Sequence, residues 1–517
     1  MQARRYPRAA VATPHYLASM TGLGVLAQGG NALDAAIAAN LTLGVVAPYL
    51  CGYGGDLFAL IWDGTPTAYL GSGRSPAGAT LAQAQAAAGA SHMPVLGPHS
   101  VTVPGGPGGW FDLLDRWGTR DFATLAQDAL SYARDGFEVS AAAAPVFGEA
   151  TRLYRRNVEQ FAAWREVYAD VRPGSWLRQP ATARTIETLA RDGPDAYYRG
   201  PIGASIVETL QALGGFQTVD DFAAHTGDWA TPLRASYRDV TVLELPPPTQ
   251  GVTALEALRI LDGFAMPLPG VDRQHLLLEA LKQAYADRDR FVTDPDAMPR
   301  PATDLLADEL VAARRAAIRP DLAAHPAVGA AQPGGTAYLC AADDDGLLVS
   351  LIQSNFMSFG SGVHVPDWGI NLNNRGFSFS LDPDRANVFA PGKRPLHTLI
   401  PALALRDGAP WLVFGSMGGD AQPGVHLQVL VHLVDDGADP ADALGAPRWR
   451  VDPGSWRVHA EDRFAPGLLD ALRARGHDVE PAPRYDSGMG HAHAIRCQPH
   501  GYAAASDPRS EGIATGR

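Results

Sequence analysis

Thr336 is the residue with the most chemistry to offer, because of what precedes it. In QPGGTAYLCAADDDG, residues 332–346, two glycines run into this threonine and an apolar, strand-like segment follows. A threonine hydroxyl is a poor nucleophile until a base removes its proton. Cutting the chain just before Thr336 would put that base on the same residue. A free α-amine has a pKa of about 7.7–8.0 and is substantially neutral near physiological pH. The same hydroxyl can make the cut. Its Oγ attacks the Gly335 carbonyl, an ester replaces the peptide bond, and water releases Gly335 as a new C-terminus. Glycine at 335 leaves the carbonyl unshielded and tolerates strained geometry. Taken alone, the tripeptide reads as an ordinary turn before a strand.

Two other clusters invite a metal. The aspartates closed by Gly346 lack the spaced ligands of an EF-hand calcium loop, and Asp-Gly between apolar runs reads as a solvated hairpin turn. His491 and His493 in GHAHAI fall on one face of a strand, where two imidazoles suit a metal. No third ligand with clear spacing is nearby, so they read as ordinary histidines of a strand near the core. No metal or organic cofactor is expected.

These residues need a scaffold of helices and strands. GGNALDAAIAANLTLGVV opens with Asn31, a good N-cap, and Asp34 follows where a carboxylate favours a helix N-terminus. Leu33, Ile37, Leu41 and Gly44 then share one face, which predicts a buried Ala-rich helix ending near Pro48. CGYGGDLFALIWDG predicts a glycine turn and an apolar strand. TPTAYLGSGRSPAG predicts a second strand that breaks into a loop carrying Arg74. From about residue 120 to 290 the pattern is mostly helical, with YRDVTVLELPPP as a strand stopped by prolines. Residues 320–335 are small, Pro/Gly-rich and aperiodic, and read as a mobile connector. Beyond Thr336 the texture turns to strands. TAYLCAA and LLVSLIQSN flank DDDG, PALALRDGAPWLVFGSMGGD predicts another hairpin ending in a glycine-rich turn, and PGVHLQVLVHLVDDG a helix.

At 517 residues the chain is ample for a large core. A net charge of −13 and no cluster of Lys and Arg argue against nucleic-acid binding. Cys51, Cys340 and Cys497 are too few and scattered for a disulfide framework and read as buried free thiols. The N-terminus has no apolar core of a signal peptide, and no segment has the roughly 20 apolar residues of a membrane span. The expectation is a soluble, cytoplasmic protein without a membrane partner.

Across nearly its whole length the chain resembles the gamma-glutamyltranspeptidases, N-terminal-nucleophile hydrolases that cut themselves before a threonine. The resemblance rests on an ordered set: GGNALDAAIAANLTLGVVAPYLCGYGGDLF, VPGGPGGWFDLLDRWG, GPDAYYRG, LPPPTQG, EALKQAYADRDRFVTDP, the segment from GGTAYLCAADDDG to NNRGF, PGKRPLHTLIPAL, FGSMGGD and SDPRSEG. It implies an α+β fold, a four-layer αββα sandwich, and two pieces, 1–335 and 336–517, held together as a heterodimer after self-cleavage. It makes Thr336 the nucleophile and Gly335–Thr336 the cleavage site. Ser354 becomes the hydroxyl that hydrogen-bonds the nucleophile. Gly418 and Gly419 supply the oxyanion-hole N–H groups, a main-chain task that suits glycine. Arg74 grips a substrate carboxylate, which a guanidinium can do bidentately.

The chain departs from the glutathione-cleaving pattern at the ligand wall. Phe356, Arg375 and Ser378 stand where those members carry Asn, Gln and Asp, and His397 and Thr398 replace a serine pair. The missing Asp normally receives an α-ammonium, and Arg375 would repel one. The span from Ser378 to Lys393 is short, which predicts a lidless pocket open to water and to bulky amides. The expected substrate is a small-molecule amide, γ-glutamyl or with a related acidic acyl group, with hydrolysis favoured over transfer. An oxamate-type or cephalosporin-type acylase without γ-glutamyl preference is the alternative. A homologue that stays uncut and only binds is the second.

Overall fold

The computed structural model describes residues 2–89, 92–155, 160–266, 269–324 and 335–517. Most of the connector expected at 320–335 lies outside them. The helices that matter here are α1 (Tyr16–Ala27), α2 (Ala32–Val46), α3 (Ala144–Tyr154), α4 (Gly251–Asp262), α5 (Val271–Phe291) and α6 (Gln422–Val434). The capping box at the start of α2 forms as expected. The Asn31 side chain accepts from the Asp34 N–H, and the Asp34 carboxylate accepts from the Asn31 N–H. All of α2 is buried, not one stripe, because its many alanines let neighbours close in on every face.

Fourteen strands make two antiparallel sheets. In chain order they are β1 (Arg4–Tyr6), β2 (Ala10–Ala12), β3 (Asp56–Trp62), β4 (Pro66–Gly71), β5 (Asp228–Ala230), β6 (Leu233–Tyr237) and β7 (Val240–Glu244), then β8 (Gly335–Ala342), β9 (Leu348–Phe356), β10 (Ala402–Arg406), β11 (Ala409–Ser416), β12 (Ala492–Cys497), β13 (Tyr502–Ser506) and β14 (Ala514–Gly516). One sheet has the order β14-β2-β8-β9-β3-β4-β5, the other β1-β13-β12-β11-β10-β7-β6.

Strand alternation sorts the core. Phe58, Leu60, Tyr338, Cys340 and Ile352 from the first sheet meet Leu243, Leu403, Val413 and Ile495 from the second. The opposite face of the first sheet, with Leu57, Ala59, Leu339 and Leu351, packs on α1 and α2. The opposite face of the second, with Val242, Ala404 and Phe414, packs on α4, α5 and α6. Thr336, Ser354 and Asp56 belong to strands that end together at one edge of the inter-sheet space.

Three local expectations change. YRDVTVLE is not one strand but the turn and second arm of a hairpin, β6 and β7. Arg238 takes the left-handed region there, φ 52°, where a glycine or asparagine would have marked a turn. The DDDG turn is not solvated throughout. Asp343 is buried, and its carboxylate accepts from the N–H groups of Asp345, Leu347 and Ala32, so it caps α2 from another part of the chain. Cys51 and Cys340 are buried free thiols, but Cys497 is half-buried.

Candidate active site

β8 and β9 pair through their whole length, and the register slips between Gly335 and Ala337, so Thr336 sits at the irregularity. It is fully buried. Its Oγ donates to Ser354 Oγ at 3.1 Å, and Ser354 Oγ donates to the Gly335 carbonyl oxygen at 2.6 Å. The Phe356 N–H also donates to Ser354 Oγ, at 2.7 Å. One hydroxyl therefore accepts from Thr336 while polarising the carbonyl that Thr336 would attack. A Cβ at Gly335 would stand 2.8 Å from the Tyr49 carbonyl and 2.9 Å from the Ser358 nitrogen, both backbone atoms, so the position admits only glycine without a shift. Phe356 holds φ 81°, costly for a residue with a side chain.

Asp56 lies opposite Ser354 in the β9–β3 register. It is wholly buried, and His397 Nε2 lies 3.0 Å from its Oδ2. The Leu399 N–H donates to His397 Nδ1, which assigns the ring proton to Nε2 and makes that nitrogen the donor to Asp56. Burial pushes the Asp56 carboxyl up to about 7, against the pull of Arg375. Burial, then the Arg375 charge, holds His397 neutral, well below its ordinary value. The Arg375 guanidinium stacks 3.8 Å from the Phe356 ring centroid, and its Nη1 donates to Thr398 Oγ1 at 3.1 Å. Its Nε is 4.0 Å from Asp56 Oδ2, and neither Nε nor Nη2 has a hydrogen-bond partner among the described residues. Burial pushes Arg375 down to about 9.

The glycine pair lies between β11 and α6. Gly418 has φ 136° and Gly419 φ 57°, values that favour glycine. Neither N–H donates a hydrogen bond among the described residues. The turn is held from outside. Gln250 Nε2 donates to the carbonyls of both Thr398 and Gly419, each at 3.0 Å, and Gln250 Oε1 accepts from Arg288 Nη1 at 2.7 Å. Arg288 also pairs with Asp420 Oδ1 at 2.5 Å, and the Tyr285 hydroxyl donates to the Asp420 carbonyl. The Ser416 hydroxyl donates to the Met417 carbonyl at 2.6 Å.

The geometry thus gathers Thr336, Ser354, Phe356, Arg375, His397 and Thr398 by direct contacts and ties Gly419 to them through Gln250. Arg74 Nη1 donates to Asp294 Oδ2 and to the Gly392 carbonyl, beside a cavity of about 90 Å³, and the backbone of the preceding Gly73 hydrogen-bonds the Asp56 carboxylate. Gly335 lines a different cavity, of about 480 Å³. The 378–393 span, expected to leave an open acyl pocket, is folded onto the body of the protein. Phe379, Leu381 and Phe389 fold that segment onto Ala79, Ala84 and Met93, and Arg375, Ser378, His397 and Thr398 are all buried.

Asp56, Gln250 and Arg288 were not singled out from sequence. Their only signals were an acid at the foot of an apolar strand, a glutamine after three prolines, and an arginine within a helix. His491 Nε2 pairs with Ser487 Oγ at 2.8 Å, and His493 stacks parallel to Tyr338. Among the described residues the one group with metal-like spacing is His275, Glu279 and His477, and Lys282 already occupies it. Its Nζ lies 3.0 Å from Glu279 Oε1 and 3.1 Å from His477 Nδ1.

A threonine hydroxyl bonded to Ser354 Oγ, which in turn bonds the carbonyl just before that threonine, suits a precursor that cuts itself. The comparisons agree. The family model described as Gamma-glutamyltranspeptidase matches residues 18–517. The chain is 38% identical to an oxamate amidohydrolase proenzyme of Klebsiella pneumoniae, over 97% of both chains. It is 36% identical to the glutathione hydrolase-like YwrD proenzyme of Bacillus subtilis, over 98% of both. The crystal structure of a cephalosporin acylase from Bacillus halodurans superposes with a TM-score of 0.95 at 36% identity, covering 100% of this chain and 97% of that one. The chain belongs to the gamma-glutamyltranspeptidase family.

Proposed function

We propose that the protein is a self-processing amidohydrolase whose nucleophile is Thr336, acting on amides of an acidic acyl group that carries no free α-amine. The hydrogen-bond chain from Thr336 Oγ through Ser354 Oγ to the Gly335 carbonyl carries the reading. In the first step Thr336 Oγ attacks the Gly335 carbonyl, the C–N bond breaks, and water cleaves the ester. Residues 1–335 and 336–517 then stay together as a heterodimer. The three apolar clusters support the expected αββα order of layers beneath it.

In turnover the freed α-amine takes the Thr336 hydroxyl proton as Oγ attacks the substrate carbonyl, and the Gly418 and Gly419 N–H groups receive the oxyanion. The amine departs with that proton and water completes a ping-pong cycle, hydrolysis rather than transfer being the main outcome. The acyl preference rests on Arg375. Two of its nitrogens lack a hydrogen-bond partner among the described residues, and position 378 carries a serine rather than the carboxylate that would meet an α-ammonium. The likeness to an oxamate amidohydrolase favours the same side. A γ-glutamyl preference is the second reading, supported by the glutathione hydrolase-like relative.

Intact-mass spectrometry of the purified protein beside Thr336→Ala tests the core of this. Expected are fragments ending at Gly335 and starting at Thr336, absent from the variant. A chain that stays whole on long incubation removes the α-amine base and leaves a binding protein. With cleavage established, a succinyl amide should outrun the matching γ-glutamyl amide, and Arg375→Gln should narrow the difference.

A further inference from the structure

We infer that Asp56 is a specificity-determining residue: an acyl carboxylate docks on Arg375 only as Asp56 takes up a proton from solvent. The inference rests on Arg375 receiving the acyl carboxylate, as proposed above, and deepens that reading.

The guanidinium has one uncommitted edge. Nη1 is taken by Thr398 Oγ1, and the Phe356 ring covers a face. Nε and Nη2 share the edge that binds a carboxylate side-on through two parallel bonds. Among the described residues neither has a hydrogen-bond partner. Buried donors without acceptors are costly, and an ionised carboxylate satisfies both at once. Asp56, the first residue of β3, does not fill this place. Its Oδ2 stands 4.0 Å from Nε, beyond hydrogen-bond reach. Its carboxylate is anchored elsewhere, by His397 Nε2 at 3.0 Å, by the Gly105 N–H at 3.3 Å and by the Gly73 backbone. It therefore stands beside the fork without closing it.

A docked carboxylate would share Nε with Asp56. Asp56 and Arg375 are both 0% exposed. Two ionised carboxylates around one buried cation leave an uncompensated negative charge, and one of them must take a proton. Asp56 is poised to do so, because burial pushes its carboxyl up to about 7 against the pull of Arg375. The groups around the pair do not supply the charge change in its place. Burial holds His397 neutral. Arg394 is already paired with Asp228, and Asp420, which also faces Arg375, is paired with Arg288. Burial pushes the Tyr197 and Tyr198 hydroxyls far up, so both keep their protons. An acyl group without a carboxylate needs no proton. The preference for acidic over neutral acyl groups should therefore weaken as pH rises.

The test is calorimetry of butyrate, which has one carboxylate and no amide, with butyramide as the neutral control. Butyrate affinity should be nearly level from pH 6 to 7 and then fall about tenfold per pH unit, while butyramide affinity stays level. At pH 8, titrations in phosphate and in Tris should show uptake of about one proton per butyrate. Asp56→Asn should bind butyrate about tenfold more tightly than the wild type at pH 8 and lose that uptake. His397→Phe keeps a ring against Phe58 but removes the donor to Asp56. It should move the break in affinity upward by about one pH unit, a readout that remains if Asp56→Asn does not fold. A pH dependence unchanged in Asp56→Asn belongs to the Thr336 amine and overturns the inference, as does a break that His397→Phe leaves in place. Butyrate that binds Arg375→Gln as well as the wild type overturns the acyl reading of Arg375 instead, and no binding overturns both. Calorimetry reads binding rather than turnover, so a chain that stays whole counts against Thr336 and not against Asp56.

Discussion

Ser354 does two jobs with one hydroxyl, and that makes it the most informative residue to change. It accepts from Thr336 Oγ and donates to the Gly335 carbonyl. Ser354→Ala should slow self-cleavage by about 100-fold, the scale of losing one donor to a developing oxyanion. Ser354→Thr keeps the hydroxyl and should restore most of the rate. The fraction of uncut chain against time, by mass spectrometry, decides it. Gly335→Ala should also slow the cut, because the new methyl group meets backbone at Tyr49 and Ser358 that cannot swing aside. Thr336 was singled out from the Gly-Gly-Thr run, and Ser354 only through the family resemblance. Asp56 and Gln250 were not. Their partners His397 and Thr398 lie far along the chain, and no local pattern records a contact of that kind. Arg74 was also singled out, and it pairs with Asp294.

The glycine turn after β11 is an element whose shape is imposed by others. Its carbonyl at Gly419 and that of Thr398 share a single side-chain amide, Gln250, which Arg288 holds in turn. Gln250→Ala should therefore lower kcat about tenfold or more with little change in KM, because under the proposed mechanism it loosens N–H donors used only as charge develops. A proportional rise in KM instead would place Gln250 in substrate binding. Secondary structure was mostly readable at this scale. The Asn31 capping box and the alternation of β8 and β9 are local signals. The β6–β7 hairpin was missed because Arg238 adopts a left-handed backbone without being glycine, asparagine or aspartate. The folded 378–393 segment was missed because its three apolar anchors close on residues near position 80.

For the whole molecule, burial of histidines sets the response to acid. Burial holds His15, His364 and His491 down to about 4, and His225 and His493 down to about 3. Each is neutral when folded and protonated when unfolded between those values and the usual 6.5. Their contribution is complete above pH 6.5 and is lost as pH falls toward 4, about 3 kcal/mol for a group such as His364. Asp56, Glu244, Glu256 and Asp343 have raised carboxyls and act in the opposite direction, but these four are outnumbered by nine histidines that burial lowers among the described residues. The urea midpoint of the uncut Thr336→Ala chain should fall steeply from pH 6.5 to 4. His364→Gln should flatten that fall; an unchanged slope would show that His364 titrates normally.

The sheet orders carry a consequence for how such a protein is made. β8 and β9, from the segment after the proposed cut, lie between β2 and β3 from the segment before it. In the other sheet β13 pairs with β1, and β10 pairs with β7, in the same interleaved way. Neither segment has a closed set of ladders alone, so under the proposed cleavage before Thr336 the chain must fold before it is cut. The covalent link supplies the effective concentration that brings the strands together. Once they are paired the link is dispensable. Two separately synthesised halves would have to find each other with unpaired central strand edges exposed, and would aggregate first.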